Sequence, residues 1–392
     1  MPSGLGQRVL DTVGGQRPLL ISLLQELVEA ESPSSLPESH RKARAVITSA
    51  LLESGYKVRE VGSGTSRHLY ARPAERRRGG AQLLLGHLDT VWPLGTVARR
   101  PFTVNGNVVR GPGVFDMKGG IAQLLVALRS IRELGMDVPL TPVVFVNADE
   151  EIGSRDSSRY VRRLAAVVDR SLVLEPAMGE RGFVKTERKG IGRFTITVYG
   201  KAAHAGLDPE AGASAILELS HVIQRLFAMN DPERGISVNV GTVDGGLQAN
   251  VIAPHSKAVV DVRVPTLRDG EDVTRAIHAI EPVVPGIRLQ VEGGIGRPAM
   301  EATSRNRALW LTASRVAAEL DLDIEETRAG GGSDGNTTSQ YTATLDGLGP
   351  VGDGAHAEHE FLYVARTLER AALLALLICS PGTRDCAGDG RS

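Results

Sequence analysis

Cysteine is nearly absent from this 392-residue chain: the two present, Cys379 and Cys386, both lie near the C-terminus. Two thiols so placed neither staple a fold nor make a thiolate metal site. Net charge is missing too, because 45 Lys and Arg stand against 46 Asp and Glu. A chain so balanced has no overall field to hold it to nucleic acid or to an anionic membrane. The one dense basic run, Arg76-Arg77-Arg78-Gly79-Gly80, reads as a solvated loop between strands. No apolar run approaches the length of a membrane span, and the first residues lack a basic segment followed by an apolar one. The expectation is a cytoplasmic protein with neither a membrane nor a nucleic-acid partner. No internal repeat is visible.

What is present is globular composition, 42% hydrophobic and 23% charged, with 45 glycines for tight turns. The length exceeds one ordinary core, so two domains are expected. Leu19, Leu20, Leu23, Leu24, Leu27 and Val28 recur at helical spacing, predicting an amphipathic helix over 17–31 that Ser32-Pro33 stops. A second helix is expected over 38–55, then strands at 56–61, 67–72 and 81–86 and a hairpin around Asn105-Gly106-Asn107. Helix 117–134, strand 142–146, helix 154–168 and strand 171–174 follow. Strands alternating with helices of this length imply crossovers and a mixed, largely parallel sheet flanked by helices.

The rhythm changes near residue 189. Strand 193–199, helix 211–228, strands 236–242 and 257–264, helix 271–283 and strand 287–292 spell βαββαβ, the ferredoxin-like order. This reads as a domain inserted at 189–302 into a discontinuous catalytic domain made of 1–188 and 303–392. Helix 304–320, a Gly-rich loop at 330–335, a strand at 342–346 and a helix at 361–378 complete the second part. The polar tail from Ser380 is expected to fray.

Five stretches place His or acidic residues just beyond a predicted strand or at a helix entrance. They are Gly86-His87-Leu88-Asp89-Thr90, Gly113-Val114-Phe115-Asp116-Met117-Lys118-Gly119-Gly120, Asn147-Ala148-Asp149-Glu150-Glu151-Ile152-Gly153-Ser154, Leu172-Val173-Leu174-Glu175-Pro176 and Gly352-Asp353-Gly354-Ala355-His356-Ala357-Glu358-His359-Glu360. Singly, each has a plain reading: a core His, a helix cap at Asp116, solvated turn acids, a strand end at Glu175. Together, two His and three carboxylates without Cys make a mixed N/O set suited to zinc. A pair of cations about 3.5–4 Å apart needs one bridging carboxylate and further ligands for each ion, and this chain supplies that number.

In this order, with the βαββαβ insertion between the fourth stretch and the fifth, the sequence resembles the di-zinc peptidases and deacylases. That family includes acetylornithine deacetylase, succinyl-diaminopimelate desuccinylase, aminoacylase and glutamate carboxypeptidase, and the pattern is closest to bacterial glutamate carboxypeptidase. The resemblance runs from about residue 17 to 378. It implies two Zn2+ per chain, with Co2+ or Mn2+ as substitutes. It implies that Asp116 bridges them, that His87 and Glu175 complete one ion, and that Glu151 and His356 complete the other. Asp89 would orient His87, and Glu150 would be the general base. His356, followed by Glu360-Phe361, fits the family pattern for the last ligand; His359 does not and is expected at the surface.

In the inserted domain, His204 alone reads as a loop His, Asn250 as a turn residue and Arg263 as a surface ion-pair former. The resemblance instead implies that His204 of the partner subunit donates to the oxyanion. Asn250 and Arg263 would hold a substrate carboxylate, which an Arg fork matches bidentately. Gly330-Gly331-Gly332-Ser333-Asp334 resembles a loop lining the same pocket, and it lacks the lysine and spacing of a phosphate loop. The implied activity is a zinc carboxypeptidase acting beside a C-terminal amino acid, glutamate in particular, with a homodimer formed through the inserted domain. Two features lean that way: Glu175 stands where aminopeptidases of the family use Asp, and Asp89-Thr90-Val91 matches glutamate carboxypeptidases. The alternatives are an N-acyl amino acid amidohydrolase and an inactive binding protein on the same fold.

Overall fold

The computed structural model describes residue 2, residues 4–75 and residues 79–382. The Arg76–Arg78 run, Cys386 and the end of the tail lie outside the described residues. The chain divides into two compact units. One comprises Met1–Glu187, Ala302–Ala329 and Ser333–Ser392; the other comprises Arg188–Glu301 and Gly330–Gly332.

The first unit is built on a six-stranded sheet. Its strands run in the order Tyr56–Val61, His68–Pro73, Thr141–Asn147, Ala81–His87, Arg170–Val173 and Ala343–Leu345. The last four pair in parallel, and the first two join them antiparallel. Parallel central strands are covered on both faces, which is why Leu83, Leu84 and Leu85 are all fully buried. Leu83 and Leu85 pack with Phe145 and Val161, on the side of helix Ser158–Ala165. Leu84 joins the larger core with Val144, Leu124 and Leu374, from the side of helices Gly119–Glu133 and Val364–Cys379. All four parallel strands therefore end at one edge of the sheet, the edge where open α/β folds hold ligands.

Helix Gly119–Glu133 enters against that edge, and its first two residues are glycine for a steric reason. A Cβ on Gly120 would fall well inside contact distance of the Leu174 carbonyl oxygen, and one on Gly119 would collide with the Val114 carbonyl. Gly120→Ala is therefore expected to cost about 1–3 kcal/mol, the usual penalty for overpacking. Urea unfolding checks this, and an unchanged midpoint would contradict the close approach.

Several elements differ from the sequence expectation. Helix Gly4–Gly15, unforeseen because glycine makes a weak helix signal, buries Val9 and Val13 beside helix Val364–Cys379. The segment expected to open the last helix is instead a strand, Phe361–Tyr363, paired with Val108–Arg110. Asp334–Thr338 of the Gly-rich stretch is a short helix capped by Ser333. Ser380 and Pro381 are not frayed: buried Arg170 donates to the Ser380 side chain at 2.9 Å and to the Pro381 carbonyl at 3.2 Å. Among the described residues no helix is long and apolar enough to cross a membrane.

The second unit is an antiparallel sheet in the order Ser237–Gly245, His255–Val264, Gly190–Tyr199 and Arg288–Arg297. Helices Ala215–Phe227 and Leu267–His278 occupy the βαββαβ positions. Alternation along Gly190–Tyr199 sends Phe194, Ile196 and Val198 inward onto Leu219, Val222 and Ile277. The fold is the expected one: a mixed α/β unit and a separate antiparallel α/β unit.

Candidate metal centre

His87 is the last residue of strand Ala81–His87 and is buried. Its Nε2 lies 3.3 Å from Asp116 Oδ1 and 3.6 Å from Glu175 Oε1. Asp116 sits in the irregular turn Val114–Lys118, with extended rather than helical dihedrals, so its side chain leaves the axis of the helix that follows. Its other oxygen, Oδ2, lies 3.5 Å from His356 Nε2. His356 in turn is 3.0 Å from Glu151 Oε2. One carboxylate thus shows each of its oxygens to a different imidazole. Glu150 and Glu151 open the turn Glu150–Ile152 beyond strand Thr141–Asn147. Glu150 offers an oxygen that converges with donor atoms of His87 and Glu175, while Glu151 converges with His87 and Asp116. His356 holds φ at 61°, a left-handed conformation uncommon outside glycine that concentrates at functional sites.

Asp89 is fully buried, and the shortest contacts of its carboxylate run elsewhere than to His87. Its carboxylate accepts the Ser34 hydroxyl at 2.6 Å, the Glu150 amide at 3.1 Å and the Glu151 amide at 3.2 Å. His87 Nδ1 is 2.9 Å from the Asp89 carbonyl oxygen and 3.5 Å from the carboxylate. His87 is therefore oriented mainly by backbone, with Nε2 left facing the cluster, and Asp89 fixes the turn that carries both glutamates.

Without metal the cluster is crowded with charge. Burial disfavours a charged His87, yet Asp116 and Asp89 hold its pKa well above the ordinary value. Asp116 is likewise buried, and the facing imidazoles of His87 and His356 keep it low. Burial pushes Glu151 up to about 7, against the pull of His356. The Glu151 hydrogen bond and the charges of Glu151 and Asp116 raise His356 to about 9. Glu151 Oε1 is buried with no hydrogen-bond partner, a costly state for a carboxylate oxygen. A hard or borderline divalent cation held here would satisfy that oxygen and neutralise the converging acids, and the N/O donor set fits zinc, cobalt or manganese.

These pKa directions carry a sign for metal uptake. Ligands bind deprotonated, so groups holding protons at neutral pH must release them. Zinc binding at pH 7 is expected to liberate about one proton or more per chain, and affinity falls as pH drops through the raised values. Calorimetry in buffers of different ionisation enthalpy reads this, and binding without proton release would contradict the assignment.

The structure brings His87, Asp116, Glu150, Glu151, Glu175 and His356 together in the first unit. His359 is exposed, and its Nε2 lies 4.0 Å from Asp353. His204, Asn250, Arg263 and Gly332 all lie in the second unit. His204 Nδ1 accepts the Gly206 and Leu207 amides, each at 3.1 Å, and the Ala205 amide donates to the Asn250 carbonyl at 3.0 Å. The two loops are therefore joined. Arg263 is engaged two residues away, its Nε and Nη2 donating to Asp261 at 2.8 and 3.1 Å. Gly332 follows Gly331, whose carbonyl accepts from Arg188 at 3.0 Å.

Two supporting residues escaped the sequence reading. Ser34 follows the Ser32-Pro33 helix stop with no local signal of its own, and its partner Asp89 is 55 positions away. Asp334 accepts the Ser154 hydroxyl at 2.5 Å and also the Asn147 side chain, gripping both ends of the acidic turn. An acid two residues beyond a glycine run, at a helix start, was the available signal.

Known proteins resemble the chain over most of its length. The model of the peptidase dimerisation domain matches residues 186–282. Carboxypeptidase G2 of Pseudomonas sp. (strain RS-16) is 29% identical over 381 residues, covering 94% of this chain and 90% of that protein. A succinyl-diaminopimelate desuccinylase of Gluconacetobacter diazotrophicus is 27% identical over 381 residues, covering 91% and 96%. Among solved structures, aminopeptidase PepT of Bacillus cereus superposes with a TM-score of 0.76 at 21% identity, covering 93% of this chain and 98% of that one. The YXEP protein of Bacillus subtilis, described as a dinuclear metal binding peptidase of the M20 family, gives 0.68 at 16% identity, covering 93% and 98%.

Proposed function

We propose that this chain, an M20-type hydrolase by its relatives and its dimerisation domain, holds two divalent metal ions and cleaves the amide bond beside a C-terminal amino acid. Zinc is the assigned metal and glutamate the assigned leaving residue. One observation carries the reading: Asp116 presents one oxygen to His87 and the other to His356, the disposition of a bridging ligand. His87 and Glu175 then complete one ion, and Glu151 and His356 the other. Bound divalent ions supply Lewis acidity to the scissile carbonyl and make water more acidic.

The chain's own residues supply the rest. Glu150, its backbone pinned by Asp89, takes the proton of the attacking water and returns it to the leaving amine. We assign 1–188 and 303–392 as the catalytic domain and 189–302 as the dimerisation and lid domain of a homodimer. His204 is assigned to oxyanion stabilisation, and Asn250, Arg263 and Gly332 to the substrate carboxylate. Since Asp261 already occupies the Arg263 fork, an incoming carboxylate either shares that guanidinium or displaces Asp261.

The test is a screen of C-terminal-glutamate compounds, folates included, against N-acyl amino acids, with and without added zinc. Zinc-dependent release of glutamate is the expected result. Preference for a neutral aliphatic amino acid overturns the glutamate assignment. It supports the second reading, an N-acyl amino acid amidohydrolase, which similarity to a desuccinylase also favours.

A further inference from the structure

Glu360 is a buried acid that neither ligates nor meets substrate in the reading above, yet it collects four donors. It is 1% exposed. Its Oε1 accepts the amides of Phe115 at 2.9 Å and Asp116 at 3.1 Å. Its Oε2 accepts the Gly113 amide at 2.8 Å and Trp92 Nε1 at 2.9 Å. The partners come from two separate segments, and Glu360 itself belongs to a third. Gly113 to Asp116 is the turn that carries the bridging carboxylate; the Lys118 amide bonds back to the Gly113 carbonyl at 3.0 Å, yet Asp116 itself keeps non-helical dihedrals. Trp92 lies five residues beyond His87 along the chain, and Glu360 lies four beyond His356.

A carboxylate left unpaired in this setting is expensive, and one with four aligned donors is strongly held. The loops on either side lean on the same point. The Arg100 guanidinium stacks over the Trp92 ring at 4.4 Å and reaches the Ala357 carbonyl at 3.4 Å. The left-handed His356 is thus followed by two anchored residues, Ala357 and Glu360. Ligand orientation by such outer contacts typically changes metal affinity by about 10–100-fold.

We propose that Glu360 is the positioning residue of the metal centre: by gathering the 113–116 amides and Trp92, it fixes Asp116 relative to both His87 and His356. This rests on the two-metal reading but is separable from it, because the prediction concerns the strength of metal binding and a tryptophan signal, not whether metal binds. Glu360→Gln keeps the shape but offers one accepting oxygen in place of two, so two of the four donors lose their partner.

The experiment is a zinc titration of metal-free Glu360→Gln and wild-type protein, both in a Trp310→Phe background so that Trp92 alone reports fluorescence. The expected result is zinc affinity at both sites weakened by about 10–100-fold, with the stoichiometry of two recoverable at high zinc. Trp92 emission is expected to differ between the two proteins before any metal is added. With zinc saturating, kcat falls and KM stays near the wild-type value. Thr367→Val, a buried polar change in the last helix away from the centre, controls for loss of packing and should leave the zinc affinities unchanged. A folded Glu360→Gln protein that binds zinc within about threefold of wild type, outside the range expected of an orienting partner, overturns the proposal. If that variant does not fold, Glu360→Asp is read the same way: it keeps the charge but shortens the reach by one methylene. Weakening of about tenfold or more supports the role, and wild-type affinity overturns it. Failure of the wild-type protein itself to bind two zincs would instead sink the two-metal reading.

Discussion

Glu150→Gln is expected to retain its metal and lose roughly 10²–10⁴-fold in kcat, the range for a positioned general acid–base group. The substitution is nearly isosteric, and the backbone amide at this position is held by Asp89, so the turn keeps its place. An amide cannot accept the proton of water at neutral pH, and the leaving amine then receives none in return. The measurement pairs zinc content with turnover on the same preparation. Because Glu150 also converges with His87 and Glu175, the pairing is decisive. A variant that loses metal along with activity would make Glu150 a ligand. A metal-replete variant with normal turnover would remove it from the chemistry.

Asp116→Asn is expected to be more damaging still, and to damage binding first. An asparagine has one oxygen where the aspartate shows two, one toward each imidazole. The anionic charge that draws two cations into one small space is lost as well. Zinc stoichiometry should fall from two to one or fewer, and turnover should fall by more than about 10⁴-fold, because on this reading both ions would be held through Asp116. Removing the carboxylate also takes away a charge that holds His87 and His356 high, so both imidazoles should titrate nearer their ordinary value by NMR. Two zincs bound at wild-type affinity would show that Asp116 does not bridge.

Much of this was legible in the sequence, because the centre sits where periodicity is clearest. Leu83-Leu84-Leu85 is a continuous apolar run, so its strand must be covered on both faces, and His87 follows as the strand's final residue. The same logic places Glu150, Glu151 and Glu175 just beyond strand ends. What the sequence concealed were contacts between distant positions. Asp89 reads naturally as the partner of a His two residues away, and the folded chain adds bonds from its carboxylate to Ser34 and to the turn at Glu150. Arg263 reads alone as a surface ion-pair former, and its partner is Asp261, two residues away on the same strand. Strand Phe361–Tyr363 has too few residues for an alternating pattern and exists because Val108–Arg110 pairs with it. Ser380 and Pro381 look like loose tail and are fastened by Arg170, some 210 positions earlier. Local pattern carries the elements that propensity and burial decide; it carries little about bonds that only the folded chain brings within reach.

Two ions sharing Asp116 are the centre of the proposed chemistry, and the most direct measurement of them is an anomalous difference map from crystals of the zinc-loaded protein. Two peaks about 3.5–4 Å apart are expected, one beside His87 and Glu175 and the other beside Glu151 and His356, with the Asp116 carboxylate between them. A single peak, or a pair that leaves Asp116 to one side, would contradict it.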